Sequence, residues 1–166
     1  GRQYSVFTDY LEDKNYWGLS SLLRTGDYFN VQMCYHDIPE HLNPFDYETF
    51  DKNPSKGYAV VTNIETGLAE YLPMKNMRRD IEAGRASASM PLVSRPVEIN
   101  GKLYLDGGLA DSIPLLHAVT DGCRKNVVVM TKEVGYRRVP SKHLELIKAR
   151  YAKYPKVYER MANRAA

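Results

Sequence analysis

The stretch that decides the fold is Pro96-Val-Glu-Ile-Asn-Gly-Lys-Leu-Tyr-Leu-Asp-Gly-Gly-Leu-Ala-Asp-Ser-Ile-Pro114. Two short alternating runs, Val97–Ile99 and Lys102–Leu105, flank Asn100-Gly101. Both turn residues tolerate the positive φ of a type I′ turn, so the pair predicts a tight β-hairpin. The second strand delivers Asp106 and breaks at once on Gly107-Gly108. Two glycines let the backbone turn sharply and keep bulk away from the carboxylate. The acid is thereby placed at a strand end, where a following loop often carries chemistry. An Asp before Gly is also ordinary turn chemistry, because its side chain can bond its own backbone. Asp-Gly-Gly alone does not decide between the two.

Outward from this stretch the pattern is α/β. Gly57–Asn63 reads as a strand apolar enough to be buried on both faces. Glu65-Thr66-Gly67 predicts a turn, and Leu68–Leu72 a returning strand that Pro73 ends. Asn76–Ala88 predicts a helix whose small residues, Gly84, Ala86, Ser87 and Ala88, allow close packing on a sheet. Pro114–Thr120 reads as a short helix and Asn126–Thr131 as a buried strand, which completes a crossover. Toward the N-terminus, Gly1–Tyr16 reads as a loop and Trp17–Arg24 as a short helix. Tyr28–Tyr35 reads as extended, and Ile38–Pro54 as a Pro-rich connection with one helical turn near Phe45–Phe50. Arg137–Ala166 reads as mostly helical, with a stripe of Leu144, Ile147, Tyr151 and Tyr154 broken or kinked at Pro155.

Composition narrows the class. The chain has 166 residues, 43% hydrophobic and 26% charged, which suits one globular domain with a real core. No apolar run approaches the roughly 20 residues needed to span a bilayer. Cys34 and Cys123 have no metal or redox spacing and read as free thiols of a cytoplasmic protein. The four histidines lack the i, i+4 pairing of a helical zinc site. No phosphate-loop or nucleic-acid recognition pattern is present, so neither nucleotide nor nucleic acid is an expected partner. The net charge is +3, and Lys132–Ala166 carries ten Lys/Arg against three Asp/Glu. That basic segment is either a solvated helical face or a surface for anionic lipid headgroups.

Taken together, several blocks carry a resemblance. Asp106-Gly107-Gly108 resembles the Asp-Gly-Gly/Ala block of patatin-like phospholipases. Arg85-Ala-Ser-Ala-Ser-Met-Pro-Leu-Val93 resembles the small-residue block that precedes it. Asn43–Phe50 and Val60–Gly67 are similar to the bacterial branch of that family. The resemblance covers essentially the whole chain. It implies a three-layer α/β fold, with a central, mostly parallel sheet, helices on both faces, and β-hairpins. It also implies a serine–aspartate dyad acyl hydrolase of lipid metabolism. In that scheme Asp106 is the catalytic acid, Gly107 and Gly108 shape the site, and no cofactor or metal is involved. The expected substrate is a phospholipid, lysophospholipid or simpler acyl ester, with peripheral membrane contact.

The family's Gly-x-Ser-x-Gly elbow is missing. Gly18-Leu-Ser-Ser-Leu22 is a partial match without a preceding strand, so Ser20 reads as a surface residue. Ser87 and Ser89 sit in the small-residue block, to which the family assigns no nucleophile. Residues 1–166 are therefore expected to be the C-terminal part of a single hydrolase domain, inactive without its serine. The competing class is a non-catalytic lipid- or protein-interaction module.

Overall fold

Asn100 and Gly101 take φ values of 52° and 77°, the left-handed geometry that a type I′ turn requires. They join β3 (Val97–Ile99) to β4 (Lys102–Asp106), with Ile99 opposite Lys102 and Val97 opposite Tyr104. The computed structural model describes residues 2–139 and 141–164; Gly1, Pro140, Ala165 and Ala166, which fall in the expected lead-in and tail, lie outside the described residues. A second hairpin pairs β1 (Gly57–Asn63) with β2 (Ala69–Met74), and the four strands form one sheet in the order β2-β1-β4-β3.

The architecture is α/β, but every neighbouring strand pair is antiparallel. This corrects the expected, mostly parallel sheet. Connectivity accounts for two of the three pairings, since tight turns close both hairpins and such turns join only antiparallel strands; β1 and β4, which no single turn joins, also run antiparallel. A parallel pair needs a crossover, and the segment expected to supply it does not pair. Residues 126–131 form no strand, with Val127 93% and Val129 85% exposed. Pro73 does not end β2 but lies inside it, opposite Tyr58. β2 is an edge strand, where a residue without an N–H is tolerated.

Side-chain alternation sends the two halves of the core to opposite faces of β4. Tyr104 packs with Val61, Val97 and Ala86, the last from α4 (Met77–Ser87). Leu105 packs with Ile64, Leu109, Ile147, Tyr151 and Val157. Ile147 belongs to α6 (Leu144–Arg150) and Val157 to α7 (Pro155–Asn163), numbered after α5 (Leu115–Thr120). Pro155 does not kink one long helix; it opens α7, at a position where its missing N–H costs nothing. Asn76 caps α4 by accepting from the Arg79 N–H at 2.9 Å. Ala83 and Ala86 are the small residues of that helix buried against the sheet.

The N-terminal third departs most from expectation. Arg2–Tyr10 is a helix, α1, rather than a loop. The short helix after Trp17 is present as α2 (Leu19–Thr25). Trp17 makes an isolated β-bridge with Phe29, and a π-helix over Met33–Leu42 replaces the extended segment and the start of the Pro-rich connection. Pro39 lies within that π-helix, and the Asn43 N–H donates to the Ile38 carbonyl five residues back. The expected helical turn is α3 (Tyr47–Lys52), capped by Asp46. Tyr16, Met33 and Ile38 form the third buried cluster, against Val6, Tyr10 and Cys34.

Candidate active site

Asp106 is the last residue of β4 and is fixed from three directions. Its N–H donates to the Ser89 carbonyl at 2.8 Å, and its carbonyl accepts from the Thr62 hydroxyl at 2.8 Å. Its Oδ1 accepts from the Gly108 N–H at 2.6 Å. Oδ2 accepts no hydrogen bond among the described residues. The carboxylate is half-buried, with one oxygen tied to the backbone and the other available.

The two glycines act differently. A Cβ on Gly107 would lie 2.1 Å from the Val60 carbonyl oxygen, so the chain passes too close to β1 for any side chain. A Cβ on Gly108 would lie 2.9 Å from Asp106 Oδ1 and 3.0 Å from Arg164 Nη2. Gly107 therefore allows the backbone to approach the sheet, and Gly108 leaves room for the carboxylate itself. A 3₁₀ turn over Gly107–Leu109 follows, which presents the Gly108 N–H to Asp106.

Asp106 opens on a cavity of about 540 Å³ that also exposes Tyr16, Asp27, Cys34, Tyr35 and Arg85. Burial pushes both the Cys34 thiol and the Tyr35 phenol up to about 12, the latter with a further contribution from Cys34. Both groups are neutral near pH 7. Asp27 is the other carboxylate on this cavity, and it is occupied: it accepts from the Arg95 N–H at 2.8 Å and from Arg95 Nε at 2.9 Å. Of the two acids, Asp106 has the available oxygen. A larger cavity, about 710 Å³, lies between Phe50–Tyr58 and Pro73–Lys75 and does not reach Asp106.

Arg164, which does not line this cavity, lies beside Gly108 and near the carboxylate without forming an ion pair to it. Burial and the neighbouring Arg138 both lower the Arg164 pKa, and the Asp106 charge opposes them.

The serines considered from sequence do not complete the site. The Ser89 hydroxyl donates to the Arg85 carbonyl at 2.8 Å, the back-bonding of a residue just past a helix end. Ser20 is exposed on α2. Thr62 supports Asp106 through its backbone carbonyl, whereas Asn63 makes turn hydrogen bonds to the Glu65 and Thr66 N–H groups. Cys34 and Cys123 are free thiols. Among the described residues no cluster of three His, Cys, Asp or Glu side chains is placed to hold a metal ion, and no helix is long and apolar enough to cross a membrane.

Asp27 and Arg164 were not legible as site residues. Asp27 follows Gly26 and has the sequence context of a helix stop. Its place in the cavity depends on Arg95, 68 positions away. Arg164 lies in a run of surface-type charges, and only the packing of α7 carries it to Gly108.

The chain therefore has an α/β architecture with an acid at a strand end, followed by two glycines and beside a cavity. The family model for patatin-like phospholipase matches residues 3–119, which includes Asp106 and both glycines, and the chain belongs to that family of lipid acyl hydrolases. No curated protein and no solved structure matches the chain.

Proposed function

We propose that this protein is a serine acyl-ester hydrolase in which Asp106 is the base of a Ser–Asp dyad. The observation that carries the reading is the Asp106 carboxylate. One oxygen is held by the Gly108 N–H at 2.6 Å, and the other is without a hydrogen bond among the described residues, at the wall of a cavity.

In this reading Asp106 Oδ2 accepts the proton of the serine hydroxyl as that oxygen attacks the ester carbonyl. The leaving alcohol recovers the proton as the acyl–oxygen bond breaks. Water then attacks the acyl-serine as it gives a proton to Asp106, and Asp106 passes that proton to the serine oxygen as the acyl–serine bond breaks, which releases the acid and the free serine. No histidine stands between base and nucleophile, so the carboxylate must come within about 2.6–3.2 Å of the serine oxygen. The Thr62 and Ser89 contacts hold the backbone at that position, and the Gly108 N–H fixes the carboxylate rotamer. The serine is supplied from outside residues 1–166: no serine here lies in a Gly-x-Ser-x-Gly elbow, and no described serine hydroxyl bonds to Asp106. These residues are then the aspartate-bearing, C-terminal part of one hydrolase domain. Its substrates are phospholipids, lysophospholipids or simpler acyl esters, reached at a membrane surface through the basic segment.

The test is ester turnover by the full-length protein carrying Asp106→Asn, which keeps the shape and removes the base. Loss of a general base lowers turnover by about 10²–10⁴-fold. Wild-type turnover by a folded variant would refute the role.

A further inference from the structure

We propose that Arg138, Arg160 and Arg164 form an anion subsite beside the Asp106 loop that takes the phosphate of a phospholipid substrate. All three line a cavity of about 350 Å³ together with Gly108, Ser112 and Asn163. No Asp or Glu lines it, and among the described residues none of the three arginines has a carboxylate partner within 4.0 Å. Elsewhere on this chain arginines do find acids: Arg78 pairs with Glu40, Arg79 with Asp80, Arg85 with Glu82 and Arg95 with Asp27. Three arginines without an acid partner therefore meet at one cavity.

Two observations point from this cluster to a ligand. Arg164 Nε is buried and has no hydrogen-bond partner among the described residues. A buried cationic donor left unmade is costly, and an oxyanion in the cavity would satisfy it. Arg160 is oriented by donating Nε to the Gly67 carbonyl at 2.5 Å, which leaves its two terminal nitrogens for another acceptor. Guanidinium groups that share a cavity with no acid suit an oxyanion, which they bind in forked pairs.

Position supplies the substrate assignment. Gly108 belongs both to this cavity and to the support of the Asp106 carboxylate. In a glycerophospholipid the phosphate and the acyl carbonyl are separated by a few bonds, so one molecule can reach both. The assignment to a substrate phosphate rests on Asp106 being the dyad base; binding of phosphate itself does not. Mutual repulsion between Arg138 and Arg164 is relieved when the anion binds.

The experiment is calorimetric titration of the full-length protein with inorganic phosphate and with dihexyl phosphatidic acid in its diether form, which has no ester to hydrolyse, below its micelle concentration. Wild type, the double variant R138Q/R164Q, R138Q alone and Asp106→Asn are compared. Phosphatidic acid is expected to bind more tightly than inorganic phosphate, to be competed by it, and to weaken about tenfold or more in the double variant. R138Q, a change at an exposed side chain, carries the test if the double variant does not fold. Asp106→Asn is expected to bind phosphatidic acid at least as tightly while losing ester turnover, which separates the subsite from the dyad. Affinities unchanged by the arginine variants overturn the subsite. Equal affinity for the two probes overturns the substrate assignment in favour of free phosphate. Full ester turnover by Asp106→Asn overturns the dyad and, with it, the assignment to substrate.

Discussion

Gly107→Ala and Gly108→Ala differ by one residue, yet the structure predicts different failures. Neither glycine has a positive φ, so alanine strains neither backbone and the cost is steric. At Gly107 the new methyl would sit 2.1 Å from the Val60 carbonyl oxygen, 2.5 Å from its carbon and 2.8 Å from its Cβ. Two of these are main-chain atoms of a strand paired on both sides, so β4 must separate from β1 near Asp106. Forcing extra bulk into a packed core costs about 1–3 kcal/mol, and a clash with backbone belongs at the upper end, about 3 kcal/mol. With a urea slope of about 2 kcal/mol per molar, the midpoint falls by about 1.5 M. At Gly108 the obstacles are the ends of two side chains, Asp106 and Arg164, which can yield. The stability cost there is about 1 kcal/mol, but the carboxylate moves. A displacement of about 1 Å at a reacting group costs about 100-fold in turnover. Urea unfolding and ester turnover, measured on both variants of the full-length protein, separate the two effects. A Gly107→Ala protein as stable as wild type, or a Gly108→Ala protein with unchanged turnover, would refute this reasoning.

Other consequences follow from individual contacts. Asp27→Asn leaves Arg95 without its carboxylate partner, at a site where Asp27 is 3% exposed, so stability falls by about 2 kcal/mol in urea titrations. Asp80 is held at about 2, first by its hydrogen bonds to Arg79 and then by the Asn76 and Lys75 N–H groups. A folded-state pKa below the unfolded value of 3.8 gives a stabilisation present above pH 4 and lost as pH falls through about 2. Asp80→Asn should flatten that part of the acid-unfolding profile, and an unchanged profile would contradict the assignment. Tyr71 donates to Asp111 at 2.6 Å, which pushes its phenol up to about 12. Asp111→Asn should bring one tyrosine back toward pH 10 in an ultraviolet titration.

How much was legible in advance depended on whether the determining contacts were local. Asn100-Gly101 specified its hairpin because the turn's φ values are a property of two residues. The β1 strand was legible for the same reason, and so was α4, whose cap and small face lie within a dozen positions. The direction of the sheet was not, because β1 meets β4 more than forty positions later and apolarity does not encode direction. Asn126–Thr131 shows the same limit from the other side. Its apolar run signals a strand, but a strand needs a partner, and among the described residues none pairs with it. The prolines of Ile38–Pro54 signalled a connection, yet Pro39 lies within a π-helix over Met33–Leu42. Asp106, Gly107 and Gly108 were legible as a motif. Their separate tasks emerged only from Val60 and Arg164, neither of which is near in sequence.

The central claim is that Asp106 activates a serine, and fluorophosphonate labelling of the full-length protein tests it most directly. A fluorophosphonate reacts preferentially with an activated serine, and peptide mapping then identifies the residue. The account predicts labelling at a serine outside residues 1–166 and a rate about 100-fold lower or less in Asp106→Asn. Labelling of Asp106→Asn at the wild-type rate, or no labelling of the folded wild-type protein, would contradict it.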